Sequence, residues 1–210
     1  MGLAPYEAAP PVVAYGPADE ESIPPPFPPP PPAPARKRAG PEWGAQLRLE
    51  AMGMGEDAAT GAGMGGFGLS LRPRPTPHFA IDCGVDFLGG TDYRGYRRDE
   101  AAFLVNPMVF INPRNKVQVY LLGGVGFSWA QLDNPGGTAI RYSYVGIDSG
   151  AGIEWRFSRH MAFGGDFVWF IRGRTDPEAS RQPEFVDRRT GRTTNASAGA
   201  LVRIGLTFYW

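Results

Sequence analysis

Every second residue from Ala196 to Trp210 is apolar: Ala196, Ala198, Ala200, Val202, Ile204, Leu206, Phe208 and Trp210. The positions between them are mostly small or polar, Ser197, Gly199, Arg203, Gly205 and Thr207, with Leu201 and the amphipathic Tyr209 completing the set. Period-two alternation predicts a β-strand with one apolar and one mixed face. A strand of about 15 residues is more than twice the length usual in a soluble sheet, and it suits a tilted bilayer crossing. The competing reading, an edge strand of a soluble sheet, would leave a long apolar edge open to aggregation.

The same alternation recurs upstream. Strand one is predicted from Trp43 to about Met52, with Leu47 and Leu49 on the apolar face and Gln46, Arg48 and Glu50 on the other. Strand two ends near Arg72, with Phe67, Leu69 and Leu71 opposite Gly66, Gly68 and Ser70, and residues 72–77 form a proline-broken turn. Strand three sets Phe79, Ile81, Cys83, Val85 and Phe87 against Asp82, Gly84 and Asp86, and residues 89–99 read as an Arg- and Tyr-rich loop. Strand four, 100–112, alternates less cleanly, and Pro107 within it predicts a bulge. Strand five spans Val117 to Trp129, strand six ends in Ile153, Trp155 and Phe157 against Glu154 and Arg156, and strand seven sets Phe163, Phe167 and Trp169 against Asp166 and Arg172. Eight alternating strands predict an all-β, antiparallel up-and-down barrel crossing a membrane.

Two further patterns fit a membrane barrel. The connections read as long after the odd-numbered strands and short after the even-numbered ones, which places both termini in the periplasm. The aromatics then sort into two girdles. Trp43, Phe79, Trp155, Phe157, Phe208 and Trp210 fall at the periplasmic rim, and Phe87, Phe103, Trp129, Tyr142 and Trp169 at the outer rim. A lipocalin-like soluble barrel would instead bury Arg48, Glu50, Asp82, Asp86, Glu154, Arg156, Asp166 and Arg203 in an apolar core, at several kcal/mol per unpaired ion.

Composition adds an N-terminal arm. Residues 1–41 are rich in Ala and Pro, peaking in Pro28 to Pro32, and predict a disordered, proline-rich periplasmic segment ahead of a barrel over 42–210. The arm reads as a semi-rigid spacer, with docking to an aromatic groove the alternative. Arg36, Lys37 and Arg38 near its end could rest on anionic head groups. No basic stretch followed by an apolar core opens the sequence, so the barrel reading expects an export signal upstream of Met1. Formal net charge is zero, which gives no argument for a nucleic-acid partner. One cysteine and two histidines leave no metal, redox or disulfide motif, and no cofactor is expected.

Arg203, Gly205, Phe208 and Trp210 resemble the terminal assembly signal of bacterial outer-membrane β-barrels, and the span from Glu42 to Trp210 resembles the outer-membrane protein A-like family. That resemblance implies a monomer in the outer membrane of a Gram-negative-type bacterium. It also implies insertion by the barrel-assembly machinery, contact with outer-membrane lipids and lipopolysaccharide, and a role in envelope integrity or surface interaction without catalysis.

The inward charges predict a plugged interior, with a selectivity ring in a narrow solute channel as the alternative. Asp166 and Arg203 are expected to meet near mid-barrel. Some barrels of this size modify lipid A with a paired His and Ser on the outer half. His160 and Ser158 lie in the short turn at the opposite rim, so an enzyme is not expected. The arginines of two connections, Arg94, Arg97, Arg98, Arg181, Arg188, Arg189 and Arg192, are the candidate anion contacts, with lipid A phosphates a fitting partner. Interleaved Asp176, Glu178, Glu184 and Asp187 leave a merely solvated loop equally open.

Overall fold

The computed structural model describes residues 40–55, 62–133, 137, 139–181, 183–186 and 193–210. The arm predicted over 1–41 therefore lies outside the described residues apart from Gly40 and Pro41, and so do Arg188, Arg189 and Arg192. Eight long strands follow in chain order: β1 (Glu42–Met54), β2 (Ala62–Arg74), β3 (Phe79–Thr91), β4 (Arg97–Phe110), β5 (Val117–Leu132), β6 (Ile140–Arg156), β7 (Met161–Arg174) and, after a small hairpin of β8 (Phe185–Val186) and β9 (Thr193–Thr194), β10 (Ala196–Tyr209). Each long strand pairs antiparallel with its neighbour, and β1 pairs with β10 to close the barrel. Trp43 and Trp210 seal the seam by exchanging backbone hydrogen bonds of 3.1 and 2.9 Å. Closure leaves no edge strand in the barrel wall, which answers the aggregation hazard of so long an apolar strand.

The polarity is inverted relative to a water-soluble barrel. Leu47, Leu69, Leu121, Ile147, Trp169 and Ile204 face outward, each about half exposed or more, while Arg48, Arg72, Asp82, Arg98 and Glu154 point inward with at most 2 % exposure. The outward face of β5 is apolar or glycine from Val117 to Trp129. Twelve residue steps at about 3.3 Å, tilted by about 40°, rise roughly 30 Å, the depth of a bilayer hydrocarbon core. The chain is an all-β transmembrane barrel, and no helix is long and apolar enough to cross a membrane.

Three expectations change. Pro107 makes no bulge. Val105 faces Val125 and Met108 faces Leu122, so the same number of residues is passed on both strands while the pairing skips Asn106 and Pro107. The side chain of Pro107 is exposed on the outer face, and its missing N–H interrupts the ladder locally without shifting it.

The length alternation of the connections is also weaker than expected. Pairing of Gly90 with Arg98 and Thr91 with Arg97 carries β3 and β4 into the segment read as a loop. Only 92–96 remains as a connection there, shorter than the turn 111–116. Finally, Tyr142 belongs to no outer girdle. It lies in the inward phase of β6, buried beside Tyr144 with ring centroids 6.2 Å apart.

Candidate functional site

The lumen is filled by side chains in three layers along the barrel axis. Nearest the rim that carries the short turns is a dense ionic layer. Arg48 donates through Nη1 to Asp82 (2.8 Å), through Nη2 to Asp86 (2.6 Å) and through Nε to Glu50 (2.6 Å). Arg72 reaches Asp82 (3.2 Å), Glu154 (3.0 Å) and Gln46 (3.1 Å). Glu154 also accepts from Tyr209 Oη (2.8 Å) and from Arg156 Nε (3.1 Å). Arg203 and Asp166 stand directly opposite each other in the β10–β7 register, and Arg203 Nε donates to Asp166 Oδ1 at 2.6 Å. Tyr120 Oη takes the second oxygen of Asp166 at 2.9 Å.

This crowding explains the inward glycines. A Cβ on Gly84 would sit 2.6 Å from Arg48 Nη2, and one on Gly68 2.2 Å from Asp86 Oδ1. The glycines are clearance for the guanidinium of Arg48, which fans its donors over three carboxylates.

One step along the strands the lumen turns apolar. Met52, Leu88, Val168 and Leu201 are buried there, with Phe170 packed against them. A cavity of about 60 Å³ lies in this layer and at its borders.

Beyond it, towards the rim of the longer connections, a second ionic layer forms. Arg98 donates to Glu100 (3.0 Å), Tyr144 (3.1 Å) and Glu184 (2.9 Å), and Arg172 pairs with Glu100 and donates to Ser128 and Ser197 at 3.1 Å each. Glu184 belongs to the connection 175–195, yet it is 1 % exposed and accepts from Tyr144 Oη at 2.7 Å. Its backbone is held as well: its N–H donates to Asn195 Oδ1 (3.2 Å) and its carbonyl accepts from Arg94 Nη2 (3.3 Å). Arg174, the last residue of β7, hydrogen-bonds Asp176 just outside the spanning strands at 2.6 and 2.9 Å and holds its carboxyl below the usual carboxylate range.

The arginines expected to contact anions thus divide. Arg94, Arg97 and Arg181 are exposed, although Arg97 already faces Asp99 at 3.1 Å. Arg98 is no loop contact. The extended β3–β4 ladder puts it in the inward phase, two residues before Glu100, and the lumen buries it to 1 % exposure.

Sequence reading also missed Arg72 and Arg74 as lumenal groups, because the prolines around them suggested a turn. The clue was the unbroken two-residue spacing of Ser70, Arg72 and Arg74. Of the girdle tryptophans, Trp43, Trp129, Trp155 and Trp169 are all exposed on the outer wall. The two histidines brace backbone at the turn rim, His78 Nδ1 against the Phe110 carbonyl (3.1 Å) and His160 Nδ1 against that of Tyr209 (3.0 Å). Gly205 lies where a Cβ would approach the Leu47 carbonyl to 2.6 Å, so the glycine lets β10 come close to β1. Phe208 and Trp210 stack outside, 6.1 Å apart.

The sequence matches no family model and no curated protein. Its fold is similar to that of Neisserial surface protein A, at 11% identity over 79% of this chain and 96% of that one, with a TM-score of 0.60. It is also similar to Ail, the attachment invasion locus protein of Yersinia pestis, at 14% identity over 82% of this chain and all of that one, with a TM-score of 0.53. A second structure of Ail, in complex with the heparin analogue sucrose octasulfate, matches at 14% identity over the same shares of the two chains, with a TM-score of 0.51.

Proposed function

Because the chain has the eight-stranded fold of outer-membrane protein A-like barrels, we propose that it works as a non-enzymatic, monomeric surface barrel of a Gram-negative-type envelope. Its interior is plugged, and its connections on the longer-loop side meet external anions. The filled lumen carries this reading. Arg48, Arg72, Arg98, Arg172 and Arg203 are each paired with a neighbouring carboxylate, and the apolar layer of Met52, Leu88 and Leu201 lies between the two ionic layers. An interior committed to its own ion pairs has neither a free nucleophile nor a selectivity ring to offer.

The work is then left to the connections. Both termini lie in the periplasm, with 55–61, 92–96, 133–139 and 175–195 on the cell surface. Arg94 and Arg181, joined in sequence by Arg188, Arg189 and Arg192, suit phosphate or sulfate groups, lipid A phosphates among them. Ail, a barrel of similar fold, has been captured with the heparin analogue sucrose octasulfate, which supports the same ligand chemistry here. Assembly uses β10 as the signal read by the barrel-assembly machinery, through Arg203, Gly205, Phe208 and Trp210. Planar-bilayer recording tests the plug: the purified barrel is expected to add no steady conductance. Binding to lipopolysaccharide, compared with its dephosphorylated form, tests the loops. A discrete ohmic channel, or equal binding of both forms, removes the corresponding part of the reading.

A further inference from the structure

The two rims differ in charge. The connections on the loop rim, 55–61, 92–96, 133–139 and 175–195, carry the acids Glu56, Asp57, Asp92, Asp133, Asp176, Glu178, Glu184 and Asp187 against five arginines. The turns on the other rim, 75–78, 111–116 and 157–160, contain no acid at all, and carry Arg114, Lys116 and Arg159. All three cations are exposed, and none makes an ion pair among the described residues. Glu42, at the start of β1 on this rim, is taken up by Arg156 at 2.9 Å.

These cations lie just past an aromatic belt. The carbonyl of Lys116 accepts from the N–H of Arg156, next to the outward pair Trp155 and Phe157, whose rings are 5.7 Å apart. Arg159 precedes His160, whose ring stacks on Phe208 at 6.1 Å, and Phe208 stacks in turn on Trp210. Tryptophan and phenylalanine in such a belt mark the boundary between hydrocarbon and head groups. Side chains one or two residues beyond it reach the depth of lipid phosphates, and each cation there gains attraction from an anionic surface.

We propose that the turn rim is a docking belt for anionic phospholipid head groups, with Arg114, Lys116 and Arg159 as the contacts. The belt fixes the depth and tilt of the barrel from the side opposite the longer connections. It depends on the transmembrane placement alone and on no part of the surface role proposed above.

The full chain is folded into nanodiscs of equal parts phosphatidylcholine and phosphatidylglycerol, released in mild detergent, and its retained lipids are counted by native mass spectrometry. Phosphatidylglycerol is expected to be retained on the order of tenfold over phosphatidylcholine, with the preference shrinking as salt is raised. The triple change Arg114→Gln, Lys116→Gln and Arg159→Gln is expected to bring the ratio close to one, while Arg114→Lys with Arg159→Lys keeps it. Arg141→Gln, an exposed change near the loop-rim end of β6, is also expected to keep it. Equal retention by the unaltered barrel, a preference that survives the triple change, or one lost in Arg141→Gln overturns the proposal. Displacement of the bound lipid by millimolar inorganic phosphate would overturn the lipid as the source and leave a simple phosphate site. All these substitutions lie on exposed side chains, and heat-shifted gel mobility reports that each variant is folded.

Discussion

At the scale of single residues, the lumen is governed by what it costs to strand a charge. Asp166 holds Arg203 at 2.6 Å and Tyr120 at 2.9 Å, with both ionic side chains at most 5 % exposed. Removing either ion leaves the other uncompensated, which costs about 3–5 kcal/mol. Asp166→Ala and Arg203→Ala are each expected to lower stability by that order in urea titrations of vesicle-folded barrel, and the double change by less than their sum. Strict additivity would show that the two side chains do not couple. Gly84→Val should add its own strain, about 1–3 kcal/mol by the same titration, because the new side chain meets the guanidinium of Arg48. At the loop rim, Asp176 supplies a pH dependence. Its carboxyl is held low by Arg174, so the hold on the start of the connection is present above the ordinary carboxylate pKa. That hold is lost as pH falls through the lowered value. Protection from amide exchange over 175–179, taken relative to the intrinsic rate at each pH, is expected to fall on acidification, and Asp176→Asn to be poorly protected at every pH.

At the scale of elements, β10 is the strand on which closure depends. It meets β1 on one side and β7 on the other, and its end exchanges hydrogen bonds with Trp43. Deleting Trp210 or changing Phe208→Asp is expected to stop insertion in cells, scored as loss of the protein from outer-membrane fractions. An outward charge in mid-strand acts through the bilayer instead. Leu121→Arg should cost roughly 2–4 kcal/mol in lipid-folded barrel, and an unchanged unfolding midpoint would count against a lipid-facing position. Glu184 of the connection 175–195 belongs to the lumen: it reaches Arg98 and Tyr144, which secures its part of the connection at the barrel mouth. Glu184→Ala should therefore free the connection, seen as faster proteolysis at Arg181, while the barrel itself stays folded.

At the scale of the whole molecule, the apolar outer wall and the ionic lumen require a bilayer. Folded in lipid, the chain should give a β-type circular dichroism spectrum and a gel mobility that shifts on boiling. A compact, detergent-free monomer would contradict the exposed belt of leucine, isoleucine and tryptophan.

Strand number, the facing of side chains and membrane insertion were legible in the sequence, because alternation with period two assigns a side to every residue before any contact is known. Asp166 and Arg203 could be placed on neighbouring strands for the same reason. Pairing decided the rest. Whether 89–91 and 97–99 were loop or ladder depended on hydrogen bonds between β3 and β4, and that choice turned Arg98 from an exposed loop arginine into a buried partner of Glu100 and Glu184. Whether Pro107 bent its strand depended on both neighbours keeping their register around it. That Glu184, far along the chain, reaches Arg98 depended on where a polar connection folds back, and such a segment carries no periodicity from which to read it. Within a strand the sequence determined which face a residue takes, since that is local geometry; only pairing and closure of the barrel decided how far each strand runs and which charges meet, since that depends on the register between strands.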